Sequence, residues 1–163
     1  MDFARLFCFG FDGETAPDHL LLDLHRRKLG AVILFARNCK NAAQIRALCA
    51  KLRDAGGEDL WLLVDQEGGR VRRITDPDIG PPSAPELGRL STSEIQTQHR
   101  TAAERLAQLG FDFNLAPVAD VMVNPANKVL EGRAFGSDPD AVSACVAAAI
   151  RGIQAAGDTA TVV

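Results

Sequence analysis

The chain has 163 residues, of which 47% are hydrophobic and 24% charged, and a net charge of -3. Those values suit one soluble globular domain able to bury a real core. They give no reason to expect a nucleic-acid partner, and no apolar run is long enough to cross a bilayer.

The N-terminal stretch "MDFARLFCFGFDG" has a short apolar run but no basic leader and no clean cleavage site, so it reads as a first strand over 6–11 and not as a signal peptide. "APDHLLLDLHRRK" (16–28) spaces its leucines for a helix, with Pro17 near the start and basic residues near the end. "GAVILF" (30–35) is the second strand. "NAAQIRALCAKLRDAGG" (41–57) is a helix capped by Asn41 and stopped by Gly56 and Gly57. "LWLLV" (60–64) is the third strand, and a Pro- and Gly-rich loop covers 75–88. A helix over 92–110, capped by Thr92 or Ser93, ends at Gly110. "FDFNLAPVADV" (111–121) is the fourth strand, and an irregular loop covers 122–137. The last helix runs from Asp138-Pro139 to Gly157.

Continuous apolar strands alternating with helices predict an α/β fold with a parallel sheet covered on both faces. Four parallel strands are expected, near 6–11, 31–35, 60–65 and 112–116. The long loops after the third and fourth strands lie where α/β proteins build their sites.

The stretch "VDQEGGRVRR" (64–73) turns abruptly from an apolar strand to charge. Asp65 should stand at the strand's carboxyl end. Gly68 and Gly69 permit a tight turn or the close approach of a ligand. Arg70, Arg72 and Arg73 follow. A carboxylate and a guanidinium facing one cleft can hold a polyol, the first accepting from hydroxyls and the second donating to oxygens. An Asp–Arg ion pair bracing a loop explains the same residues. Arg133, in "EGRAFG", is either a loop brace or a second guanidinium for such a site. Asn114, Pro117 and Asp120 suit the end of a strand. Phosphate-binding glycine signatures are absent. Cys8, Cys39, Cys49 and Cys145 are scattered, as for reduced thiols in a cytosolic protein. His19, His25 and His99 fall in polar helical stretches and read as surface residues, with no ligand spacing for a metal.

"LVDQEGGRVRR", "FDFNLAPVADV" and "EGRAFGSDP" occur in that order, each at the end of a strand–helix unit. Together with "GAVILFARN", over about residues 5–157, they resemble the N-terminal domain of glycoside hydrolase family 3. Within it they resemble the β-N-acetylglucosaminidase type of bacterial cell-wall recycling. The resemblance implies a (β/α)8 barrel of TIM type, here a truncated N-terminal half of about four βα units. It implies a cytoplasmic glycosidase that removes terminal β-linked N-acetylglucosamine from peptidoglycan fragments, retaining configuration, without metal or organic cofactor. Asp65 would hold sugar hydroxyls, and Arg73 and Arg133 would contact the substrate.

The family's Lys-His motif, acid/base histidine and nucleophilic aspartate belong to later segments, and none of those motifs occurs in this sequence. The expected domain is therefore 1–157, the N-terminal part of a barrel, with a divergent tail over 158–163. "GDTAT" in that tail matches either a point beyond an internal deletion or the family pattern by coincidence. No catalytic residue is expected within the chain. Asp158, at a helix end, has nothing to hold it in attack geometry. The expected partner is a small carbohydrate, with neither nucleic acid nor membrane, and open strand edges invite self-association. A non-catalytic sugar-binding module and a non-functional truncated product are the other readings.

Overall fold

A computed structural model describes residues 3–157 and 160–161. A 3-10 turn at Phe3–Leu6 leads into strand β1 (Cys8–Phe9), and helix α1 (Asp18–His25) returns to β2 (Ala31–Leu34). Helix α2 (Ala42–Gly56) leads to β3 (Trp61–Val64). A short antiparallel hairpin follows at once, β4 (Gln66–Gly68) with β5 (Val71–Arg72). The chain continues through α3 (Ala84–Leu87), α4 (Thr92–Leu109), β6 (Phe113–Asn114), α5 (Pro139–Gln154) and β7 (Ala160–Thr161).

The main sheet has the order β1-β2-β3-β6-β7, with every neighbouring pair parallel. The α/β class and parallel sheet expected from the sequence are present. Five strands take part where four were expected, because Ala160 and Thr161 pair with Phe113 and Asn114. Asp158, Thr159, Val162 and Val163 of the expected tail lie outside the described residues.

Local signals set most boundaries. Asn41 caps α2, its side chain accepting from Gln44 N at 2.9 Å, and Gly57 ends it with φ +79°. Asp138 caps α5 by accepting from Ala141 N at 2.8 Å, with Pro139 at the first helical position. The cap of α4 is Ser91, one residue before the expected Thr92 or Ser93. Its hydroxyl and the Glu94 carboxylate form a reciprocal capping box, which neither later residue is placed to make. Helix α1 is shorter than the 16–28 pattern, since Arg27 takes a left-handed conformation at φ +55°.

Side chains on one face of the sheet build the core. Val32, Leu34, Leu62 and Val64 are buried against Leu20 and Leu24 of α1, Ile45, Leu48 and Leu52 of α2, and Leu106 and Leu109 of α4. The other face departs from the expectation of cover on both sides. Trp61, on that face, is 54% exposed. The core helices α1, α2 and α4 pack against the Val32, Leu34, Leu62 and Val64 face, and Trp61 meets Phe113 of the neighbouring strand in a tilted contact, ring centroids 4.7 Å apart.

A second cluster joins α3, α4 and α5 through Leu87, Ile95, Val142, Ala148 and Ala149. The α4–α5 crossing is close because Gly152 has no side chain: a Cβ there would run into the Gln96 carbonyl and lie 3.1 Å from Arg100 N. His99 belongs to this packing and is buried, contrary to its reading as a surface histidine. Its Nδ1 lies 3.1 Å from the Ile95 carbonyl, and its ring centroid 6.5 Å from that of Phe135. The polar residues around it in sequence face outward, while position 99 shares the inward stripe of Ile95, Ala102, Ala103 and Leu106.

Arg53 of α2 closes the sheet at the amino ends of β3 and β6. It donates to the Leu60 and Gly110 carbonyls and to both oxygens of Asp112, at 2.9 and 2.8 Å. Asp112 in turn accepts from Leu62 N at 2.7 Å.

Candidate functional site

At the opposite end of the sheet, the strand carboxyl ends open into a cleft of about 570 Å³. Asp65, Glu67, Val71 and Arg73 line one wall. Leu115, Pro117, Val118, Ala119 and Asp120 line another, and Arg133 reaches in from the long loop after β6. The Ala116–Pro117 peptide is cis. Asp65, Arg73 and Arg133 therefore meet at one cleft, as the sequence led us to expect.

The hairpin explains which side chains face it. Residues alternate across an extended strand, so Asp65 and Glu67 point to the cleft while Gln66 points to the core. Gln66 is fully buried and holds the turn together. Its Oε1 accepts from Arg73 N at 2.8 Å and Ile74 N at 3.1 Å, and its Nε2 donates to the carbonyls of Ile74 and Ile79. Gln66 N donates to Asn114 Oδ1 at 2.9 Å, and Asn114 Nδ2 donates back to the Gln66 carbonyl at 3.1 Å. This amide exchange fixes the end of β3 against the end of β6.

Gly68 and Gly69 take φ of +88° and +57°. The close approach at Gly68 is made by the chain itself, since a Cβ there would meet the carbonyls of Pro81 and Pro82. The two glycines thus seat the hairpin on the 75–88 loop and not on a ligand. That loop also holds α3, which a Ser83–Glu86 capping box starts.

The three arginines of "RVRR" separate. Arg73 donates through Nε and Nη2 to Asp65 Oδ2, at 3.3 and 2.8 Å, and sits 5.5 Å from the Phe35 ring centroid. Arg70 turns away and donates to the carbonyls of Lys128 and Glu131. Arg72 is not among the cleft residues. The ion pair considered as a loop brace does form between Asp65 and Arg73, but it forms at the cleft wall. Asp65 Oδ1 accepts no hydrogen bond among the described residues and remains open to a donor.

Glu67 is the residue the sequence reading missed. Its carboxylate takes Arg133 in a two-pronged pair, Nε to Oε2 at 2.8 Å and Nη2 to Oε1 at 2.7 Å. That hydrogen-bonded pair raises the Arg133 pKa, with burial opposing it and Asp120 and Asp65 adding to it. Period-two alternation from Asp65 would have placed Glu67 on the same side, had 65–72 been read as a hairpin.

Among the described residues no group of three or more His, Cys, Asp or Glu could hold a metal ion, and no helix is long and apolar enough to cross a membrane. The described cysteines are free. Burial raises Cys39 to about 11 and Cys49 to about 12, so neither offers a ready thiolate.

The sheet is parallel, and its strand carboxyl ends present carboxylates and guanidinium groups to one open, charged cleft, the end at which α/β folds build their sites. Residues 14–163 match the family described as "Glycosyl hydrolase family 3 N terminal domain". The chain belongs to that family.

A β-hexosaminidase of Pseudomonas aeruginosa is 37% identical over 149 residues, which cover 90% of this chain and 44% of that protein. The chain thus spans less than half the length of this curated relative. Among solved structures, a glycoside hydrolase family 3 β-N-acetylglucosaminidase from Paenibacillus sp. str. FPU-7 superposes with a TM-score of 0.90 at 30% identity, covering 98% of this chain and 31% of that one. NagZ from Neisseria gonorrhoeae, in complex with N-trifluoroacetyl-D-glucosamine, superposes with a TM-score of 0.84 at 26% identity, covering 92% and 47%.

Proposed function

We propose that this chain is the N-terminal part of a family 3 β-N-acetylhexosaminidase. The enzyme would remove terminal β-linked N-acetylglucosamine from peptidoglycan fragments in the cytoplasm. Residues 1–157 form the first half of a (β/α)8 barrel in this reading, and the open face carrying Trp61 and Phe113 is the inside of that barrel. Open sheet edges at β1 and β7 favour self-association.

Asp65, Arg73 and Arg133 are the proposed substrate-binding residues. The observation that carries the reading is their convergence on one cleft, where Asp65 Oδ1 accepts no hydrogen bond among the described residues. Asp65 accepts from sugar hydroxyls while Arg73 neutralises its charge and aligns it. Arg73 Nη1 makes no hydrogen bond among the described residues and supplies a donor for a sugar oxygen.

Attack at the anomeric carbon and proton transfer to the leaving group need a pair of groups flanking the scissile bond. The family motifs that would supply them are not in these 163 residues. This chain is the sugar-holding part in the proposal and does not turn over glycosides alone.

Calorimetric titration with N-acetylglucosamine tests the reading. Asp65→Ala should weaken binding by about tenfold or more, since a hydrogen bond to a charged group contributes about 1.5–3 kcal/mol. Equal affinity in the variant and the wild type, or none in the wild type, would sink it. A chromogenic β-N-acetylglucosaminide should not be cleaved by the chain alone.

A further inference from the structure

Glu67 is the most enclosed carboxylate of the two that pair with arginine at the cleft: its side chain is 9% exposed, against 18% for Asp65. A guanidinium has five N–H donors. Arg133 commits Nε and Nη2 to Glu67, and Nη1 lies 3.3 Å from the Val129 carbonyl. Among the described residues two N–H groups remain without a partner, at a residue that lines the cleft.

We propose that Glu67 is the positioning residue of this site, holding the Arg133 guanidinium by one edge so that its remaining donors meet the oxygens of a bound sugar. The inference rests on the sugar-binding reading above.

The geometry favours this over a simple loop brace. The loop over 122–137 already has a tether to the hairpin, because Arg70 donates to the Lys128 and Glu131 carbonyls at 2.8 and 3.3 Å. Holding the loop does not require a second, enclosed ion pair. Orienting a guanidinium does, because a planar fork presents its free donors usefully only when one edge is fixed. A two-pronged carboxylate fixes both the position and the plane. A lone hydrogen-bond acceptor would leave the plane free to rotate, and a lysine at 133 would have no plane to fix. Glu67 also reaches Arg133 from the same strand edge that carries Asp65, so the hydroxyl acceptor and the guanidinium are set by one hairpin.

The test joins N-acetylglucosamine titration of the full chain to the NMR signal of the Arg133 Nε–H. In the wild type that proton should be slow to exchange. Glu67→Gln should speed its exchange and weaken sugar binding by about tenfold or more, since a charge-assisted pair is lost. Glu67→Asp should restore part of both. Arg70→Ala, which cuts the tether alone, should stay within about fivefold of wild type, as expected for an exposed contact. A Glu67→Gln chain that binds the sugar as the wild type does would overturn the inference, as would an affinity loss in Arg70→Ala equal to that in Glu67→Gln. Absence of binding in the wild type overturns the sugar reading itself, a failure visible before any variant is made. If Glu67→Gln does not fold, the Arg133 Nε–H signal of the wild type decides on addition of sugar: a shift supports the inference, and an unmoved signal overturns it.

Discussion

Glycine at position 152 offers a test in which the sign of the effect is informative. In a free helix, Gly→Ala stabilises by about 0.8–1 kcal/mol through backbone entropy. Here the new methyl group would strike the Gln96 carbonyl and crowd the Gln96 carbonyl carbon and Arg100 N, both 3.1 Å from its ideal position. All three atoms are backbone, so no rotamer change relieves the overlap. Helix α5 would have to move off α4 by something on the order of 1 Å to reach ordinary contact distances. Overpacking costs typically 1–3 kcal/mol, and an overlap with backbone that cannot rotate away belongs in the upper part of that range, about 2–3 kcal/mol. Less the propensity gain, Gly152→Ala should destabilise the chain by about 1–2 kcal/mol. At this chain length that lowers the melting temperature by about 2–8 °C. Ala144→Gly, on the exposed side of the same helix, isolates the propensity contribution. Urea unfolding at constant slope measures both. A Gly152→Ala chain as stable as the wild type would refute the claim that backbone contact sets the α4–α5 distance.

Two further outcomes follow from named contacts. Asn41→Ala removes the cap of α2 and should cost about 1 kcal/mol in urea unfolding. Burial lowers the pKa of His99 below its ordinary 6.5, against a smaller raising effect from the Ile95 carbonyl. The unfolded chain therefore binds this proton more readily than the folded one. The contribution of His99 to stability is complete above about pH 6.5 and is lost as pH falls toward the lowered folded value. Replacing it by Gln should flatten the fall in stability below pH 6.5, measured by unfolding across that range, and an unchanged slope would count against its burial as a neutral ring.

The sequence reveals the elements that local chemistry determines. Asn41, Gly57, Asp138 and Gly110 mark helix ends because each satisfies or relieves the backbone by itself. The strands are legible as apolar runs, yet β1 and β6 form only two residues each of regular ladder. In β6 the cause is visible: Pro117 has no N–H to donate, so the run over 111–121 cannot pair along its length. The hairpin over 66–72 was hidden because its pairing depends on Gln66, whose amide partners lie in Arg73, Ile74, Ile79 and Asn114. The burial of His99 likewise depends on α5 and Phe135, which are remote in the chain. Asp65, Arg73 and Arg133 were found through motif resemblance, whereas Glu67 emerges only when the hairpin is built.

The Arg53–Asp112 clamp stands at the amino ends of β3 and β6, while the cleft stands at their carboxyl ends. The two ends share strands but no hydrogen-bonding side chain. Changes to Asp65, Glu67 or the loop carrying Arg133 therefore leave the fastening of these strands intact. A lineage or an engineer can thus explore new ligands at one rim while the opposite rim keeps the scaffold's integrity, which makes the cleft end the natural place for diversification and the clamp end the place where substitutions are least tolerated.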